Sequence, residues 1–444
     1  MSLPRYKKYE DTDALGLLPA HWQTKPLKWV STINDEALPE TTPPDYQLEY
    51  VDIGSVSLSA GIEKTEYLEF KDAPSRARRI VRDGDVLVST VRTYLKAIAP
   101  IESPPENLIA STGFAVVRPN QGCVSGFLKY SLQSERFVDE VIARSTGVSY
   151  PAINASDLGR IYVPAPPVGE QTTIAAFLDR ETAKIDGLIA EQEKLISLLA
   201  EKRQATISHA VTKGLNPDAP MKDSGVSWLG EVPAHWDVVA LKYLVSSPII
   251  DGPHETPVKH DNGIPFVSAE SLSKGFIDFD KIWGHISPED HAKYCKRYSP
   301  MRGDILIVKL GATTGTTAIV ETDKEFNVWV PLAAVRLQEG IEPKFVCNVL
   351  KSNNMKIAYE LNWTYGTQQT LGLGTISNLR VPIPPIEEQK EIVKYLDSIL
   401  PLLNSLSDEA SRGIALLKER RSALVSAAVT GKIDVRHFAE AETA

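Results

Sequence analysis

The chain has 444 residues, 43% hydrophobic and 24% charged, with a formal net charge of −9 at pH 7, the composition of a globular protein that fills its cores over two to four domains. No apolar run approaches the roughly 18–20 residues of a membrane span, and the polar start Met1–Glu10 is not a secretory leader. Cys123, Cys295 and Cys347 are scattered and form no CxxC, which excludes a disulfide framework or cysteine-rich zinc site and fits a reducing cytoplasm.

In chain order, a leader over residues 1–22 ends in His21-Trp22. Residues 23–164 carry short apolar and β-branched runs bounded by Gly, Pro and Asp, the pattern of strands and turns. Gly84-Asp85 reads as a turn feeding a strand at Val86–Ser89, a structural element. A helical stretch is expected over 126–144. Val163-Pro164-Ala165-Pro166-Pro167 then forms an extended lead-in, because proline fixes φ and lacks a donor. It opens a spacer helix over 165–214, helical from near Glu170. Ile174, Leu178, Ile185, Leu188, Leu195 and Leu199 follow a heptad rhythm along it. About 40 residues of helix span roughly 60 Å.

The order then repeats. A linker and second leader (215–236) end in His235-Trp236, 214 positions after the first pair. A second domain (237–382) places Gly303-Asp304 before a strand at Ile305–Val308 and a helical stretch over 343–360. Val381-Pro382-Ile383-Pro384-Pro385, offset by 218 from the first copy, opens a second spacer helix (383–432), helical from near Glu388. A polar tail (433–444) follows. Ile392, Leu396, Ile399, Leu403, Leu406, Ala410, Gly413, Leu417, Arg421, Leu424 and Ala428 step by fours and threes, and Pro401 is expected to kink or restart the helix. A repeat this long is a duplicated domain with its connector, not a solenoid. Two helices with one apolar stripe each bury those stripes most simply against one another. The repeated ends match better than the interiors, as expected of one scaffold serving two different targets.

Polar side chains that suit a nucleic acid cluster in the interiors. Lys71, Arg76, Arg78, Arg79, Arg82, Arg92 and Lys96 face only Asp72, Asp83 and Asp85 within one short segment. Arg and Lys grip phosphates, and Arg reads guanine with two hydrogen bonds; a solvated face is the alternative. Ser89, Thr90, Arg92, Thr93 and Tyr94 follow a strand end, where loops present side chains. In the second domain the candidates are His254, Lys259, His260, Lys293, Lys296, Arg297, Lys309, Thr313 and Thr314. Gly311–Gly315 lacks the lysine of a nucleotide loop; a tight turn and a turn approaching DNA both remain open. After Gly147 and Gly366, Tyr150, Gln368 and Gln369 are placed to meet base edges. His21 and His235, each beside a tryptophan, read as packed leader residues. An acidic chain is an unusual DNA binder, so basic patches or partner subunits must supply phosphate contacts.

These motifs, in this duplicated order, resemble type I restriction-modification specificity subunits over nearly the whole chain. The resemblance rests on the His-Trp leaders, the Gly-Asp-Ile-Leu type strands and the Val-Pro-x-Pro-Pro-x-x-Glu-Gln helix starts. Asp251-Gly252-Pro253-His254, Gly311-Ala312-Thr313-Thr314-Gly315, the helix end at Ala210-Val211-Thr212-Lys213-Gly214 and the linker Leu215–Gly225 add to it. Pro253 departs from the Thr common there, and Ser149-Tyr150 differs from Gln368-Gln369, which leaves the recognised bases open. The resemblance implies an α+β fold: two pseudo-repeated globular DNA target recognition domains separated by two long antiparallel coiled-coil helices. It implies that each domain reads half of an interrupted double-stranded DNA site. The helices would set the spacing and dock two methyltransferase (modification) subunits, with restriction/translocase subunits joining through them. S-adenosylmethionine and adenine N6 methylation would belong to those partners, with no cofactor, catalytic residue or metal in this chain and no membrane. Consistent with that, the sequence has no HExxH, no paired Cys/His spacing, no GxSxG and no Asn/Asp-Pro-Pro-Tyr; Pro43-Pro44-Asp45-Tyr46 has the wrong order. A helical assembly scaffold without sequence reading is the competing expectation.

Overall fold

A computed structural model describes residues 4–58, 60–365 and 369–440. The chain divides into two compact units, 1–192 with 412–444, and 193–411. Each is a mixed α+β body that contains parts of both long helices, Val168–Lys213 and Ile386–Val429.

In unit 1, one sheet runs Ile98–Pro100, Val86–Ser89, Phe114–Pro119, Ser31–Ile33, antiparallel throughout. A second runs Glu66–Glu69, Gln47–Val51, Leu108–Ser111, Ala77–Ile80, with a parallel pair at its centre. Val86 and Val88 join one core and Leu87 another, so this strand is apolar on both faces. Unit 2 repeats the plan around Ile305–Val308, whose alternate residues also feed two cores. The Gly-Asp turns before both strands have definite roles. Gly84 and Gly303 adopt φ of 83° and 91°, where a side chain is disfavoured. Buried Asp85 receives both Arg118 nitrogens at 2.8 Å, and buried Asp304 receives Arg336 at 2.9 and 2.7 Å.

Each expected mid-domain helix is two helices: Ser125–Gln133 and Glu135–Ala143, and Pro343–Lys351 and Asn353–Asn362. The break falls at Ser134 and Ser352. Each hydroxyl donates to the carbonyl three residues back at 2.6 Å and accepts the amide three residues on, in the first turn of the next helix.

The long helices begin at Val168 and Ile386, two residues before the expected starts. Within unit 1, Ile174, Phe177 and Leu178 share a core with Val425, Ala428 and Val429, and Arg421 meets Asp186 at 2.9 Å, so the segments run antiparallel. Within unit 2, Ile207, Ala210 and Val211 share a core with Ile392, Val393 and Leu396. The first seam needs correction. Leu188 and Leu195 are exposed, whereas Ile189 and Ile196 beside them are half-buried. Adjacent apolar pairs satisfy the heptad spacing equally, so spacing alone does not choose the phase. Leu406 of the second seam also faces outward. The restart expected at Pro401 does not occur: the helix continues through it. Pro401 and Asp397, whose carbonyl loses its donor to the proline, both lie on an exposed stretch of the helix.

The duplicated leaders close onto the helix starts. Glu170 accepts from Trp22 Nε1 (3.0 Å) and Tyr6 Oη (3.0 Å) and meets His21 Nε2 at 2.6 Å. Glu388 accepts from Trp236 Nε1 (3.1 Å) and meets His235 Nε2 at 2.7 Å. The next residue holds the domain. Gln171 accepts from Val124 N and Gln389 from Glu342 N, at 2.8 and 2.9 Å. At the far helix ends, Gly214 lies against Trp236, and Gly431 against Trp22 and Pro19, both with left-handed φ. Glu388→Ala leaves the fully buried Trp236 indole N–H without its acceptor. The expected loss is about 2 kcal/mol, whereas Glu388→Gln keeps an acceptor and loses much less. Urea unfolding followed by tryptophan fluorescence checks this.

Candidate nucleic-acid interface

In each unit, the loop after the central strand is braced by a second loop far along the chain. In unit 1, Ser89 Oγ donates to Val91 O (2.6 Å), and Thr90 donates to Gly113 O through N (2.8 Å) and Oγ1 (2.9 Å). Thr93 Oγ1 bonds Ser145 Oγ at 2.8 Å. Segment 144–153 returns alongside: Val91 bridges Ala152, Ile153 N donates to Thr90 O (2.9 Å), and Thr146 pairs with Ala152. Ser89 and Thr93 are therefore buried braces of the loop, and Arg92, Tyr94, Lys96 and Tyr150 are its exposed side chains. Arg92 lies over the Tyr150 ring, 5.1 Å from its centroid.

Unit 2 builds the same frame. Leu310 bridges Thr370, Leu371 N donates to Lys309 O (2.8 Å), and Gly311 N donates to Gln369 O (3.0 Å). Thr314 Oγ1 donates to Gly311 O at 2.7 Å, and Thr313 is exposed. A Cβ on Gly315 would fall 2.6 Å from the Tyr359 ring, so this turn needs its glycine. Gln368 and Gly366 lie outside the described residues.

The cations of the second domain divide into two groups. Lys309 is buried, and its Nζ meets Asp251 Oδ2 at 3.1 Å. Arg297 reaches Asp251 Oδ1 at 2.6 Å, and His254 reaches Oδ2 at 3.1 Å. Burial pushes the Asp251 carboxyl up; the Lys309 hydrogen bond and the surrounding positive charges outweigh it and hold the group below its ordinary value. Lys309 thus anchors the loop from inside. Lys259 lies over the Trp283 ring, His260 N donates to His285 O, and Lys293 pairs with Glu255. Lys296 caps the helix Pro288–Cys295 and is exposed.

The basic segment of unit 1 also divides. Arg76 bonds Tyr50 Oη (3.1 Å) and Asp52 (3.2 Å). Arg82 pairs with Glu36, which Arg118 also reaches at 2.6 Å. These contacts, the hydrogen bonds of Arg82 and Arg118 first, lower the Glu36 carboxyl to about 2. Lys71 pairs with Glu69, Arg78 lies over Phe70, and Arg79 is half-buried. Arg76 stays near the loop, since Thr112 N donates to its carbonyl at 2.7 Å one residue before Gly113 receives Thr90. Sequence reasoning missed Asp251 as the hub that joins Lys309, Arg297 and His254, and missed Arg118 and Arg336 as partners of the Gly-Asp turns. The latter pair stand 218 apart, the offset of the helix starts, which is the signal that marks them.

Among the described residues, no group of three or more His, Cys, Asp or Glu is placed to hold a metal ion, and no helix is long and apolar enough to cross a membrane. A duplicated α+β scaffold with a rigid frame and differing loop side chains defines a recognition protein. Comparisons with known proteins carry this to a family. The profile described as "Type I restriction modification DNA specificity domain" matches residues 19–196 and 235–410. The chain belongs to the type I restriction-modification specificity subunits. It is 25% identical to a Methanocaldococcus jannaschii protein named as the MjaX specificity subunit of a type I restriction enzyme, over 97% of both chains. It is 25% identical to the Escherichia coli EcoBI specificity subunit over 68% of this chain and 65% of that one. A solved type I restriction-modification structure aligns with a TM-score of 0.72 at 26% identity, covering 94% of this chain and 99% of that one. The Thermoanaerobacter tengcongensis HsdS subunit aligns at 0.50 and 25%, covering 94% and 98%.

Lys309→Met strips a buried carboxylate of its closest buried cation. The expected cost is about 3 kcal/mol near neutral pH. The folded Asp251 value is depressed, so its contribution is present above the unfolded value and is lost as pH falls through the folded one. The gap between wild type and variant therefore narrows below about pH 4. Melting temperatures of both proteins from pH 7 downward check it.

Proposed function

We propose that this chain reads a bipartite DNA sequence for a type I restriction-modification complex and performs no chemistry itself. Unit 1 reads one half-site through loops 90–96 and 145–152, and unit 2 reads the other through loop 309–315 and residues 369–371 beside it. The single observation that supports this is the shared hydrogen-bond frame of these loops, which carries Arg92, Lys96 and Tyr150 in one unit and Thr313 and Gln369 in the other. A fixed frame with different side chains suits two different base sequences. Arg76, Arg78, Arg79, Lys259, Lys296 and the outer edges of Arg297 and His254 serve phosphates or bases at the margins, with Gln368 beside Gln369.

The long helices set the gap between half-sites and dock two methyltransferase subunits. Exposed Leu188, Leu195, Leu198, Leu402 and Leu416 support docking, since leucines on a helix surface favour burial. Those subunits bring S-adenosylmethionine, methylate adenine N6, and recruit the restriction/translocase subunits. They also add to the phosphate contacts that a chain of net charge −9 makes with its few basic patches. The complex works in the cytoplasm.

Selection from random DNA duplexes by the complex tests the reading. Exchanging residues 23–164 for those of another family member is expected to replace one half-site and leave the other. No enriched two-part motif, or both halves changing together, contradicts it. Inserting four residues beside Leu188 adds about one helical turn and is expected to change the gap while both half-sites persist. An unaltered gap in the selected sequences removes the helix as a ruler.

A further inference from the structure

The unit 1 loop contains an arginine that is exposed, backbone-constrained and free of carboxylates. Arg92 has φ of 51° and ψ of 46°, and Lys96 has 53° and 36°; both are left-handed, bracketing the turn Thr93–Leu95. L-residues with side chains enter that region only where surrounding contacts over-determine them, and such positions cluster at functional sites. The contacts here are on either side: Ser89 to Val91, the Val91–Ala152 bridge, and Thr93 to Ser145.

Five other arginines of the unit, Arg76, Arg82, Arg118, Arg144 and Arg160, each pair with a carboxylate, and Arg78, which also lies over an aromatic ring, is only half-exposed and donates to Ala77 O. Arg92 has no carboxylate partner among the described residues. Its guanidinium lies over the Tyr150 ring, 5.1 Å from the centroid, and Tyr150 is itself 65% exposed. A guanidinium stacked on an aromatic face keeps its plane fixed and its N–H edge available. That edge matches the O6 and N7 acceptors of guanine in the major groove. A lysine at the same place offers a point charge without the fork.

We infer that Arg92, oriented by Tyr150, reads a guanine in the half-site of unit 1. The inference rests on the DNA-reading function proposed above and adds the identity of one base. Unit 2 has no arginine at the matching position: the offset of 219 that pairs Thr90 with Lys309 pairs Arg92 with Gly311.

The test is selection from random duplexes by the full chain assembled with its methyltransferase subunits, as wild type, Arg92→Lys, Arg92→Gly and Tyr150→Ala. Wild type is expected to select a two-part motif with a guanine in one half. Arg92→Lys lowers the preference at that base about tenfold or more, leaves the other half intact, and keeps the salt dependence because the charge remains. Arg92→Gly relieves the left-handed backbone, so it folds at least as well and loses the same preference. Tyr150→Ala weakens the preference at that base and no other. A clear two-part motif that Arg92→Lys leaves unchanged, or one with no guanine in either half, overturns the inference and spares the reading beneath it. No two-part motif from wild type overturns that reading, and this inference with it.

Discussion

A single carboxylate in the first turn of each long helix holds the molecule's plan in place. Glu170 and Glu388 stand where a helix N-terminus favours negative charge, and each accepts the indole N–H of a buried leader tryptophan. The glutamine that follows ties the same turn to the domain, and a glycine at the other helix's end lies against that tryptophan. Leader, domain and both helices of a unit therefore meet at one joint. The joint occurs twice because the sequence that builds it occurs twice. What lies between the joints was free to diverge without disturbing how a domain is mounted on its helices.

The loops show how that freedom is used. Backbone bonds set their shape, from Thr90 to Ile153 in one unit and from Lys309 to Leu371 in the other. Buried hydroxyls and one buried lysine stiffen them from within. The outward side chains differ in chemistry between the units, and so do the inward ones that brace each frame. A reader built this way changes target by changing a few exposed residues, while its frame and its stability stay the same. The charges follow the same division. Asp85, Asp251 and Asp304 are buried and neutralised by structural cations, so the exposed loop cations are left for a ligand.

Much of this was legible in the sequence, for identifiable reasons. The Gly-Asp turns declare themselves because glycine is required at positive φ and the strands behind them are apolar on both faces. The long helices show through their proline lead-ins and heptads. The phase of the first seam was not legible, because Leu188 and Ile189 fit the same spacing and only packing separates them. The helix breaks at Ser134 and Ser352 were hidden because a serine in a helical pattern is ordinary until its hydroxyl caps the next turn. The restart allowed for at Pro401 did not occur, since a proline on an exposed stretch of helix is tolerated and exposure is not printed in the sequence. Among the candidate site residues, Arg92 and Tyr150, which stand on two separate segments, lie one over the other. Ser89, Thr93 and Lys309 turned inward, because a polar residue at a strand end serves the frame as readily as the surface.

The central claim is that two differently equipped loop frames on one duplicated scaffold direct modification to a two-part DNA sequence. The most direct measurement is base-resolution methylation sequencing of genomic DNA from cells with and without this chain, its methyltransferase partner being present in both. The account predicts methylated adenines at one motif of two specific halves with a constant gap, and their loss when the chain is absent. Methylation at a single uninterrupted motif, or a pattern indifferent to the chain, would contradict it.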